Sequence, residues 1–265
     1  TRLGYKYIRQ KDCSGAYCPK TNIFKSILRD SINCLNGTAL TEAEVDSLVE
    51  ELAIKLNNDD LGRAFYKILV NGFNGLRLID LEDESRNSYH VVTELTYQNG
   101  EDEFRPDITL LVNGLPLAFV EVKKPNNRDG IIAEHIRMNK RSAKKVFRRF
   151  ANITQVMVFS NNMEYDDNDV EPIEGAFYAS GSYEKLFFNR FREEDPTIHS
   201  SIHPIDPKDE ETILMDNNLV TIKGTEEYAL NIDEHTPTNR ILTSLFTHSR
   251  FGMLLKYGFA YVERT

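Results

Sequence analysis

The sequence predicts an α/β protein, a sandwich with a mixed central sheet between helical layers. Three observations carry this. The stretch from Phe104 to Pro125 reads as a β-hairpin whose apolar runs do not alternate cleanly, so both faces of that hairpin are covered. A long helical pattern then crosses back to a second apolar strand. Before the hairpin, apolar residues recur at helical spacing. Helix, antiparallel strands, crossover helix and strand is the order of an α/β sandwich.

The elements follow in sequence. Residues 22 to 56 read as helical, with Ile23, Phe24, Ile27, Leu28 and Ile32 on one stripe. After Gly37, Thr41-Glu42-Ala43-Glu44 is a capping box that opens a second helix, with Val45, Leu48, Val49, Leu52 and Leu56 inward. A third helix spans about Leu61 to Val70 and stops at Asn71-Gly72. Strands are expected at Leu76 to Leu81, Tyr89 to Tyr97, Ile108 to Val112 and Leu117 to Lys123. A single helix is expected from Asp129 to Phe150, then strands at Ile153 to Ser160 and Gly175 to Ala179, and a helix near Tyr183 to Phe191. The polar segment from Asp195 to Asp209 carries three prolines and reads as a boundary. Helices at Asp209 to Leu219 and Thr238 to Tyr257 and a strand at Phe259 to Val262 complete the chain. The expected organisation is a helical extension over 1–58, a core over 59–195 and a C-terminal helical segment over 196–265.

The hairpin carries the chemistry. Asn113-Gly114 is a strong turn signal. Glu121 and Lys123 are two residues apart and share a strand face, while Val122 points to the opposite layer. Asp107 stands at the base of the other arm. Two carboxylates converging on a strand pair make an all-oxygen site suited to Mg²⁺, and a lysine beside it can orient water at a phosphate. Register imposes a condition. A strict two-residue turn places Asp107 opposite Val120, facing away from Glu121. The hypothesis therefore requires a bulge or an odd loop, such as a three-residue loop with Gly114 at positive φ.

Pro106-Asp107 and Glu121-Val122-Lys123 resemble the signature of the PD-(D/E)xK nuclease superfamily. Arg105-Pro106-Asp107 and Asn113-Gly114-Leu115-Pro116-Leu117 resemble, more narrowly, the N-terminal region of type I restriction enzyme R subunits. The likeness extends upstream to Leu78-Ile79-Asp80, Asn87 and Val91-Val92, and downstream to the run from Val156 to Asn161. It implies a restriction-endonuclease-like α/β/α sandwich with additional N- and C-terminal helices. It also implies Mg²⁺-dependent hydrolysis of double-stranded DNA. Asp107, Glu121 and the Val122 carbonyl would hold the metal, and Lys123 would position the attacking water. The family places a Gln and, four residues on, a Tyr on the next helix; here His135 and Asn139 stand there. The resemblance also suggests an acidic residue on an early helix, with Glu50 or Glu51 as candidates. It implies partners: a helicase-like motor domain in cis that uses ATP, and modification and specificity subunits in trans. No phosphate-binding Gly-x4-Gly-Lys-Ser/Thr loop occurs here, so no ATP site is assigned to this chain.

Composition sets bounds. The chain has 265 residues, 41 acidic against 32 basic, for a net charge of −9. Phosphate affinity comes mainly from Lys and Arg, so this balance argues for other domains or subunits helping to hold DNA. Against it stands a basic stretch of Arg137, Lys140, Arg141, Lys144, Lys145, Arg148 and Arg149. With Arg105, Lys124, His135 and Asn139, Lys140 and Lys144 from that stretch are the expected DNA contacts. Cys13, Cys18 and Cys34 lack zinc spacing and read as reduced thiols of a cytoplasmic protein. No apolar run reaches the ~18 residues of a membrane span. The paired His199 and His203 and the Asp166, Asp167 and Asp169 run read as ordinary loop residues. The competing readings are another PD-(D/E)xK nuclease and a non-catalytic assembly module of the same fold.

Overall fold

The computed structural model describes residues 1–125, 128–166, 168, 171–181, 185–191, 197 and 202–261. The chain begins with β1 (Lys6–Tyr7), β2 (Tyr17–Cys18) and β3 (Ile23–Phe24), then α1 (Lys25–Asn36), α2 (Glu42–Lys55) and α3 (Arg63–Asn71). Next come β4 (Tyr89–Thr93), β5 (Tyr97–Asn99), β6 (Asp102–Phe104), β7 (Ile108–Val112) and β8 (Leu115–Val122). Helices α4 (Arg128–Ser142) and α5 (Arg148–Ile153) lead to β9 (Val156–Ser160), β10 (Ala176–Ala179) and β11 (Asn189–Arg190). Helices α6 (Pro207–Asp216), α7 (Glu226–Ile232), α8 (Pro237–Phe246) and α9 (His248–Tyr257) follow.

Seven strands form one mixed sheet in the order β1-β4-β7-β8-β9-β10-β11. The β1–β4 and β8–β9 pairs are parallel, and the rest are antiparallel. A parallel pair needs a crossover, which α4 and α5 supply between β8 and β9. Both faces of β8 are covered, which explains its unbroken apolar run. On one face Leu110, Leu117, Val120 and Val158 join α1, α2, α3, α8 and α9 in one cluster. On the other, Phe119, Met157 and Phe159 pack with Phe104, Met138, Phe147 and Phe150.

The first cluster takes residues from the whole chain: Ile23, Leu28 and Leu52 from its start, Val120 and Val158 from its middle, Ile241, Phe246 and Phe251 from its end. The Thr41 capping box forms as expected. Thr41 Oγ1 accepts from the Glu44 amide at 3.3 Å, and Glu44 accepts from the Thr41 amide at 2.8 Å. Among the described residues no helix is long and apolar enough to cross a membrane, and the three cysteines are free thiols.

Several expected elements differ. Leu76 to Leu81 is not a strand beyond a single Phe73–Leu76 bridge. Asp80 instead accepts from the amides of Glu82 and Asp83 and pairs with Arg77 and Arg86, so a side-chain turn displaces strand pairing. The strand from Tyr89 stops at Thr93 because Glu94 turns to φ 51°. The helix expected over 129–150 breaks at Lys144, whose ψ is 128°. The one expected over 238–257 breaks at Thr247, whose ψ is 144°. Asn189 and Arg190 pair with β10 as a strand rather than ending a helix; residues 182–184 lie outside the described residues. Phe259 to Tyr261 is not strand, and Val262 lies outside the described residues.

Candidate active site

The Asn113-Gly114 turn is a tight two-residue loop with both residues at positive φ, 52° and 81°, the twist a hairpin favours. From it, Val112 pairs with Leu115 and Leu111 with Pro116. Then the register shifts: Leu110 pairs with Ala118, Thr109 with Phe119 and Ile108 with Val120. Leu117 is the extra residue of a β-bulge on β8. Its effect shows in the packing, where the consecutive residues Leu117 and Ala118 both enter the same core cluster. Pro116 is tolerated because β9 joins β8 only from Ala118 onward, so its missing N–H removes no bond to β9.

The bulge carries Asp107 to the position opposite Glu121. The required irregularity is therefore present, in the strand rather than in the loop. The Val122 amide donates to Asp107 Oδ2 at 2.7 Å, and the Asp107 amide donates to Glu121 Oε2 at 3.4 Å. Lys123 Nζ donates to Glu121 Oε1 at 2.8 Å. The Lys123 amide donates to the Ser160 carbonyl, so the β8 ladder runs on to Lys123 and holds its backbone. Val122 points the other way, 40% exposed. There it lines an open groove of about 800 Å³ with Ile108, Leu230 and Leu242.

Burial pushes the Asp107 carboxyl above its ordinary range, opposed by the Val122 amide and Lys123. Burial also raises Glu121, and the neighbouring Asp107 charge adds to it. A buried acid, Glu121, beside a half-buried one, Asp107, whose charge disfavours its ionisation, is a donor pair that a cation relieves. Among the described residues no group of three or more His, Cys, Asp or Glu converges as a metal cage. The donors on offer are the two carboxylates, the Val122 carbonyl and water. That all-oxygen set fits a small divalent cation that keeps several waters.

The other expected contacts are placed differently. His135 Nε2 lies 2.7 Å from the Leu186 carbonyl, and Asn139 Oδ1 accepts from the Leu186 amide at 2.6 Å. Together they clamp the segment before β11, with His135 against Phe188. Arg105 lies 3.7 Å from Glu94 and Lys144 3.1 Å from Asp102. Lys124 and Lys140 are exposed. Much of the basic stretch faces internal partners: Arg137 and Arg141 meet Glu134, Arg148 meets Asp59, and Arg149 donates to the Ala53 carbonyl. Glu50 and Glu51 lie on α2, where Glu51 accepts from Asn74. The acids that act on Asp107 are Glu134 and Glu94.

Glu134 is the residue that sequence reasoning missed. It is only 2% exposed and lies 3.7 Å from Lys123. Its signal was available: it falls between the buried Ile131 and Met138 at helical spacing, so a carboxylate occupies the inward stripe of α4.

The family model described as the type I restriction enzyme R protein N terminus matches residues 1–166. The putative type I restriction enzyme MjaIXP endonuclease subunit of Methanocaldococcus jannaschii is 26% identical over 230 residues, covering 68% of this chain and 21% of that protein. The type I restriction enzyme HindI endonuclease subunit of Haemophilus influenzae is 35% identical over 119 residues, 39% of this chain and 11% of that protein. The type I restriction enzyme EcoprrI endonuclease subunit of Escherichia coli is 27% identical over 179 residues, covering 58% of this chain and 56% of that protein. The chain thus spans a minor part of the first two relatives' length. The match of the family model to residues 1–166, well over half of the chain, leads to one assignment: it belongs to the family of type I restriction enzyme R protein N-terminal domains.

Proposed function

We propose that this domain is the Mg²⁺-dependent endonuclease centre of a type I restriction enzyme R subunit, hydrolysing phosphodiester bonds of double-stranded DNA through a PD-(D/E)xK site. The observation that carries the reading is the Leu117 bulge, which brings Asp107 opposite Glu121 with Lys123 on the same face. A bulge beside an active site commonly re-aims a side chain.

Asp107 and Glu121 would hold the cation with the Val122 carbonyl. When bound, Mg²⁺ supplies Lewis acidity that acidifies water and draws charge from the phosphate. The Val122 amide fixes one Asp107 oxygen, Oδ2, and Oδ1 would serve the cation. The Lys123 ammonium orients the attacking water and stabilises charge developing on the phosphate. Exposed Lys124 and Lys140, with Arg105 and Lys144, would contact the DNA backbone. Because so many cations of α4 and α5 meet internal acids, this domain depends on partners for DNA affinity. Those partners are a motor domain in cis, which uses ATP, and modification and specificity subunits in trans.

The test is Mg²⁺-dependent cleavage of unmethylated DNA by the full assembly, wild type against Lys123→Ala, with ATP hydrolysis followed in parallel. Cleavage is expected to fall about 10²- to 10⁴-fold while ATP hydrolysis persists. Normal cutting by Lys123→Ala would instead assign the domain to assembly.

A further inference from the structure

We propose that Glu134 is the positioning residue for Lys123, a buried counter-ion that keeps the ammonium in the site when Glu121 turns to a cation. The inference rests on the nuclease reading of this site.

Lys123 lies between two carboxylates, Glu121 at 2.8 Å and Glu134 at 3.7 Å. The Glu121 contact weakens in a working site. A carboxylate that shares its charge with a cation holds an ammonium less tightly, and the cation repels that ammonium. Without a second anchor, Lys123 would either block Glu121 or swing to solvent. Glu134 provides the anchor from a separate element. Its carboxylate is on the inward face of α4, almost fully buried, where a charge pair is screened far less than at the surface.

The anchor is itself held. Arg137 and Arg141 both reach Glu134, offsetting the cost of burying its charge. Arg141 also lies over the Phe104 ring, 3.7 Å from its centre, and Phe104 directly precedes Arg105-Pro106-Asp107. The Glu134 carboxylate therefore reaches Lys123 at the end of β8, and through Arg141 it is linked to the end of β6 that leads into Asp107. A role as counter-ion to the two arginines alone would not require Lys123 to be within reach.

The test uses the intact subunit in its complex. Glu134→Gln is expected to lower kcat for cleavage about 10- to 100-fold with little change in KM for DNA and with ATP hydrolysis unchanged. Mn²⁺ binding, followed by electron paramagnetic resonance without DNA, is expected to weaken about 10-fold, because Lys123 then settles fully on Glu121. In a Lys123→Met background, exchanging Glu134 for Gln should weaken Mn²⁺ binding far less, since only the through-space charge of Glu134 on the two carboxylates is then lost. Glu134→Asp should recover part of both losses.

Unchanged cleavage and Mn²⁺ binding in Glu134→Gln, with Lys123→Ala inactive, would overturn the proposal and leave the nuclease reading standing. A loss of Mn²⁺ affinity that persists undiminished in the Lys123→Met background would overturn it too, since Glu134 would then act without Lys123. Normal cutting by Lys123→Ala would remove both. If Glu134→Gln does not fold, Glu134→Gln with Arg137→Gln restores the charge balance. If that variant also fails to fold, the residue is structural and the proposal falls.

Discussion

Asp107 accepts the Val122 amide while burial holds its carboxyl above the ordinary value of 3.8. A carboxyl raised in the folded state binds its proton more tightly there than in the unfolded chain. Its ionisation therefore costs stability, and that cost grows as pH rises from 3.8 through the raised folded value. Asp107→Asn keeps an oxygen for the Val122 amide and removes the charge. Without divalent cations it should be more stable than wild type at pH 7 by about 0.5–2 kcal/mol. The gain should vanish below the ordinary Asp range, where both side chains are neutral. Thermal melting across pH checks this, and an equal or lower melting temperature at pH 7 would refute it. The same variant should not cleave DNA. Asp107, Glu121 and Lys123 were legible as residues because charge interrupts an apolar hairpin. Glu134 was legible only through the Ile131 and Met138 spacing around it, and that spacing gains meaning once their face is known to be buried.

At the scale of elements, the hairpin turn is held from outside. Asn113 is fully buried: its Oδ1 accepts from the Ser88 amide, and its Nδ2 donates to the Leu78 carbonyl and to Asn87. Asn87 in turn accepts from the Asp80 amide. The Leu78-Ile79-Asp80 and Asn87 signature is thus a brace for the turn that sets the hairpin. Gly114 has φ 81°, and a Cβ there would lie 2.6 Å from the Phe24 carbonyl oxygen and 2.9 Å from the Leu28 amide nitrogen. Gly114→Ala should cost more than the ~1–2 kcal/mol of left-handed backbone alone, read as a lower urea midpoint with unchanged slope. The turn and its flanking strands were legible because Asn-Gly and the apolar runs agree. The bulge was legible as a requirement, but not its place, which follows from packing Leu117 and Ala118 into one cluster. The break at Lys144 was hidden because the local pattern stays helical on both sides.

At the scale of the molecule, α8 and α9 share the core of the sheet. Phe251 is fully buried, and its ring meets Phe246 edge to face. Phe251→Ala should destabilise the fold by about 3–5 kcal/mol. Hydrogen exchange should show that loss in the amides of β8 and β9 as well as in α9. Protection lost in α9 alone would mean that the C-terminal helices open separately. The sequence separated an early helical segment and a late one from a nuclease core, since local patterns do not reveal which distant faces meet. Charge follows the same logic. The cations of α4 and α5 were legible as a patch, but only the fold shows that Arg137 and Arg141 turn to the buried Glu134 of their own helix and that Arg148 meets Asp59.

The Leu117 bulge has a consequence for arithmetic along the chain. Residues paired across a strict two-residue turn are an odd number apart, as with Val112 and Leu115 (115 − 112 = 3). Asp107 and Glu121 are an even number apart (121 − 107 = 14), a separation that such a turn allows only with a bulge. The spacing of the two acids is therefore a parity condition. Lengthening both arms by one residue preserves it, whereas a single insertion or deletion between them turns one acid away from the other while leaving every signature residue in place.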